Sequence, residues 1–120
     1  MVHKKNLDAN YDLGSWYIDH IDCFQNKDIA IFASFSALLS YRYEGSFSPE
    51  AKAIRTKADK KLRKCLRVLL HEIDCSAITK IKYYAFSLSH TLYRIILHIT
   101  DPSVKHYEKI LKQRYTHSEQ

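Results

Sequence analysis

Arg94 and His98, one helical turn apart in the stretch YRIILHITD, are the pair best suited to proton and phosphate chemistry in this chain. A guanidinium stabilises phosphate charge and an imidazole moves a proton near neutral pH, which together are the requirements of phosphodiester cleavage. Near a helix C-terminus the protonated form of His98 is favoured by the helix dipole. Seven histidines and three cysteines also raise the question of a metal. His20 and Cys23 could share a helix face, with His71 or Cys75 as further ligands. No Cys-x-x-Cys and no Glu-x-x-His pair accompanies them, so neither a metal nor any other cofactor is expected. Unpaired cysteines suit a reducing, cytoplasmic compartment.

The stretch resembles the Arg-x4-6-His motif of HEPN-type ribonucleases over nine residues. It departs from that motif in leaving only three residues between Arg94 and His98, and in placing Ile95 where a polar residue usually follows the arginine. The resemblance implies a small all-helical domain, often dimeric, with Arg94 and His98 as candidate catalytic residues. No Gly-x-Ser-x-Gly elbow is present, and an enzyme is the less favoured reading.

A stronger chemical feature is KADKKLRKCLRVLLH, residues 57–71, where six lysines and arginines and His71 face one acid, Asp59. At about 100° per residue, Ile54, Ala58, Leu62, Cys65, Leu66, Leu69 and Ile73 form an apolar stripe. Lys57, Lys60, Lys61, Arg63, Lys64 and Arg67 lie largely opposite, as a candidate partner-binding face within residues 52–67. In a chain of formal net charge +6, such a face could neutralise phosphates or an acidic protein surface. It could equally be the solvated side of a bundle helix.

The elements that must carry these groups are helical. Only two glycines and two prolines occur in 120 residues, too few turn formers for a sandwich or barrel. The spacing predicts an all-α, single compact bundle of four to five helices over residues 1–120, with residues 1–7 and 116–120 frayed. Asp8 or Asn10 is the expected cap of a first helix with Leu13, Trp16, Tyr17, Ile21 and Phe24 on its core face. QNKD, residues 25–28, marks a break or a bend. The run from Ile29 to Tyr41 is apolar almost all round and reads as the central helix. At about 1.5 Å per residue its thirteen residues are too short to cross a bilayer, so no membrane partner is expected.

Gly45, Ser48 and Pro49 are the expected stop, cap and start before a third helix. Ser76 is the cap of a fourth, with a main stripe of Ile78, Ile81, Ala85, Leu88, Leu92, Ile95, Ile96 and Ile99 toward the core. Asp101 and Pro102 begin the last. Tyr83, Phe86, Tyr93 and Leu97 form a second face on the fourth helix, the expected oligomer interface, because tyrosine gives broad contact at low entropy cost. These features point to a non-enzymatic binding or assembly protein, able to form a homodimer through the fourth helix, whose basic face meets an acidic protein or nucleic acid.

Overall fold

With so few breakers the chain has little to interrupt a helix. In the computed structural model, which describes residues 2–118 and the side chains of residues 7–116, it is all-α. Among these residues there are six helices and no strand: α1 (Val2–Asp19), α2 (Lys27–Gly45), α3 (Ala51–Glu72), α4 (Ala77–Leu88), α5 (His90–Thr100) and α6 (Val104–Ser118). One 3-10 turn, Ile21–Cys23, separates α1 from α2. Backbone helix thus begins at Val2, ahead of the Asp8 or Asn10 cap; of the residues expected to fray, 2–7 and 116–118 are helical in backbone, and 1, 119 and 120 lie outside those described. No described helix is long and apolar enough to cross a membrane.

α2 is central, as its composition suggests: Ile31, Phe35 and Leu38 are fully buried between α1 and α3. Ile29 is the exception at 68% exposed: it lies on the outer side of the first turn, while the adjacent Ala30 and Ile31 are fully buried. The face of α1 that meets α2 differs from the expected one. Leu7, Gly14, Ile18 and Ile21 are buried, whereas Leu13 and Trp16 are about half exposed. The cause is Gly14, where a Cβ would lie 2.7 Å from Leu38 Cγ and 3.3 Å from Ala37 Cβ. The smallest residue sets the helix contact here, and a reading based on large apolar side chains places the face a third of a turn away.

Gly45 has a similar role. It is the last residue of α2 rather than a left-handed cap after it, and its φ is not positive. A Cβ there would collide with Ile54 of α3, so glycine is required by close approach and not by backbone conformation. α3 starts two residues after Pro49, following a turn in which Ser48 Oγ accepts from the Glu50 amide at 3.1 Å.

The expected single fourth helix is two. Ser76 caps α4, accepting from the Thr79 amide at 3.2 Å, but at Ser89 the backbone turns extended (φ −132°, ψ 104°), and the Ser89 hydroxyl caps α5 through the Leu92 amide at 3.1 Å. The carbonyls freed by that break are satisfied from outside. Arg42 of α2, almost wholly buried, donates to the Phe86 carbonyl and, at 3.1 Å, to the Ser87 carbonyl, and pairs with Asp59 of α3 at 3.0 Å. The last four carbonyls of a helix lack intrahelical partners, and one buried arginine satisfies two of them at this corner.

Candidate functional site

α3 keeps its apolar stripe inside, with Ile54, Ala58, Leu62, Cys65, Leu66 and Leu69 buried. Cys65 is part of that core: burial pushes its thiol up to about 11, and its sulfur lies 3.2 Å from Ser34 Oγ. It behaves as a small apolar residue.

The basic stripe does not form one surface. Lys61 and Lys64 both bind Asp19 at the end of α1, each with a shortest contact of 2.8 Å, and Lys57 lies over the Tyr11 ring at 4.2 Å. Hydrogen bonds from the two lysines hold the Asp19 carboxyl below its usual range. Lys60, Arg63 and Arg67, with Lys52 about two turns earlier, are exposed and form no ion pair among the described residues. Half of the stripe fastens α3 to α1, and half faces solvent.

Tyr83, Phe86, Tyr93 and Leu97 point inward, contrary to the expectation that they form an oligomer contact. Tyr83 stacks against Phe35 (4.7 Å between centroids) and Phe32 (5.3 Å), Phe86 is buried against Tyr93 (5.2 Å), and Leu97 joins a second cluster with Tyr43, Val104 and Leu111. The rings find pockets between α2 residues that shorter aliphatic side chains would leave unfilled. The opposite stripe, expected in the core, is therefore outside: Ile78, Ile81, Leu88, Leu92, Ile95 and Ile99 are between 37% and 80% exposed, and Tyr84 beside them is 48% exposed. Ile96 alone of the expected core stripe on α5 packs against the interior, and it does so only partly buried.

Arg94 and His98 are brought together by a residue that sequence pattern does not flag. Glu108 of α6, 4% exposed, accepts from Arg94 Nε at 2.9 Å and Nη2 at 2.6 Å, and from the Tyr43 hydroxyl at 2.7 Å, and lies 3.0 Å from His98 Nε2. Burial alone would raise its pKa, but hydrogen bonds from Arg94, Tyr43 and His98 outweigh burial and hold it at about 2. The carboxylate orients the imidazole through Nε2 and occupies both prongs of the guanidinium, so a phosphate would have to compete with Glu108 for Arg94. The signal that could have pointed to Glu108 is its isolation, as the single acid in an α6 rich in lysine.

His90, at the start of α5, lies beside this network with its Nδ1 buried and unpartnered. Burial first, then the charges of Arg42, Arg55 and Arg94, push it down to about 4, so it stays neutral at physiological pH. Among the described residues, no three His, Cys, Asp or Glu side chains converge as a metal site. The chain matches no protein-family model, no curated protein and no solved structure.

Proposed function

We propose that this is a non-enzymatic assembly protein of the cytoplasm that associates through the outer face of α4 and α5. The exposed aliphatic stripe carries this reading. Seven large apolar side chains on consecutive helices are each 37–80% exposed, a concentration that marks an interaction face. Leu88 and Leu92 flank the break at Ser89, so the stripe of α4 adjoins that of α5.

No Asp or Glu occurs between Asp74 and Asp101, and Lys80, Lys82 and Arg94 are the only cations there at neutral histidine, which leaves the face almost free of charge to desolvate. A second copy is the simplest occupant, since a two-fold contact buries the same patch on both chains.

Size-exclusion chromatography with light scattering tests the proposal on the full chain. The expected result is a concentration-dependent dimer, converted to a folded monomer by Ile81→Lys with Ile95→Lys. A chain that stays monomeric at high concentration overturns self-association, and unchanged mass in the double variant overturns this face as the interface.

A further inference from the structure

A second surface is independent of the apolar one. α3 carries Lys52, Lys60, Arg63 and Arg67 on one exposed strip, with Thr56 between the first two. At about 100° per residue these five positions fall within a sector of about 80°. Over fifteen residues the strip is about 22 Å long, the length of about six nucleotides of a duplex strand at 3.4 Å each.

Two observations separate this strip from an ordinary solvated helix face. The two acids within α3 are turned elsewhere: Asp59 is held by Arg42 and lies 3.8 Å from Arg55, and Glu72 is held by Lys27 at 2.9 Å, while the exposed Asp74 lies beyond the end of the helix. The other lysines of the same helix are already used internally, by Asp19 and by the Tyr11 ring. The strip is what remains after the fold has taken its own share of the helix's positive charge.

We propose that Lys52, Lys60, Arg63 and Arg67 form a binding strip for the phosphate backbone of nucleic acid, read without sequence preference. An acidic protein is the weaker fit. Protein interfaces concentrate their energy in buried aromatic and aliphatic anchors and are depleted of lysine, and between Lys52 and Arg67 this strip holds no large apolar residue. Phosphates need no such anchor, because release of condensed counterions supplies the affinity.

Fluorescence anisotropy with a short labelled DNA duplex and a single-stranded RNA, both of arbitrary sequence, tests the assignment on the full chain. Four engaged cations predict an affinity that falls about a hundred-fold for the duplex and about fifty-fold for the single strand between about 50 and 200 mM salt, at slopes of about −0.9 and about −0.7 per neutralised phosphate. Three triple variants to glutamine each remove three positive charges. Lys60/Arg63/Arg67 samples the free strip, Lys57/Lys61/Lys64 the lysines turned to α1, and Lys105/Lys109/Lys112 an exposed row on α6.

The first variant should lose at least ten-fold in affinity at low salt and most of the salt slope. The other two should lose no more than about three-fold, as expected from net charge alone. Circular dichroism confirms that each is folded, and the α6 triple, whose side chains are all exposed, serves as control should the second unfold. Equal losses in the first and third variants, a larger loss in the third, or no binding to either probe at low salt overturns the proposal. Binding of polyglutamate as tight as that of the nucleic acids, abolished by the same first variant, overturns it in favour of an acidic polypeptide.

Discussion

α2 and α5 are similarly apolar in sequence, yet they occupy opposite extremes of the molecule. α2 has eleven buried residues and is sheathed by α1 and α3. α5 has none that is fully buried and leaves Leu92, Ile95 and Ile99 in solvent. The difference lies in the small residues. Ala30, Ser34 and Ala37 of α2, facing Gly14, let a neighbouring helix come close enough to enclose the large side chains between them. On α5 no glycine or alanine interrupts HTLYRIILHIT, and the helix is held by polar contacts at its inner edge, through Arg94 and His98 to Glu108. Hydrophobicity selects what can be buried, and close approach decides what is.

That contrast can be tested by substitution. The largest effect is expected for Arg42→Ala, which leaves two carbonyls of α4 without their partner in the interior and removes the closer of the two cations at Asp59. A loss of about 3–5 kcal/mol in urea denaturation is expected. A loss below about 1 kcal/mol would mean that the corner at Ser89 does not depend on the arginine. Leu38→Ala, at the α1–α2 contact, should cost about 2–5 kcal/mol through the cavity it leaves.

Glu108→Gln should cost on the order of 3 kcal/mol at neutral pH and should also change the acid profile. Because the folded carboxyl titrates at about 2 and an ordinary one at 4.5, its stabilisation is complete above pH 4.5 and lost as pH falls toward 2. Urea midpoints at pH 5 and at pH 3 should therefore differ less in the variant than in the parent. His90 acts in a higher window. With its folded value near 4 against 6.5, it contributes stability that is present above pH 6.5 and lost as pH falls through 4, and His90→Gln should flatten that part of the curve. The smallest effect is expected for Ile81→Ser or Ile95→Ser in dilute, monomeric protein, within about 0.5 kcal/mol of the parent. A loss as large as that of Leu38→Ala would show that the outer stripe is closed within the monomer, removing the contrast between α2 and α5.

α3 was the most legible part of the chain, because its apolar and basic residues separate cleanly around the helix and Ser76 announces the next one. α4 and α5 were read with their faces exchanged. Eight aliphatic residues at helical spacing outweigh three aromatic rings in any periodicity argument, and the fold nonetheless packs the rings inward, beside Phe35 and Tyr43. The break at Ser89 was invisible for a related reason, since the arginine that stabilises it lies some forty-five residues earlier in the chain. The basic strip was visible only as a longer stripe, because its division depends on Asp19 and Tyr11, both on another helix. Of the polar cluster, Arg94 and His98 could be picked out, but not the glutamate that joins them.

Three consecutive residues of α2 fasten the later part of the chain. Arg42 reaches the end of α4, Tyr43 reaches Glu108 of α6, and Glu44 accepts from the Tyr107 hydroxyl at 2.6 Å. Because these attachments originate within one helical turn, loss of that turn releases α5 and α6 together while α1, the first half of α2 and α3 keep their own packing. The amide protons of residues 90–116 are therefore expected to exchange with deuterium as one cooperative group, sooner than those of residues 30–39. The protein has a latch of three residues, from which its C-terminal quarter is expected to open as a unit.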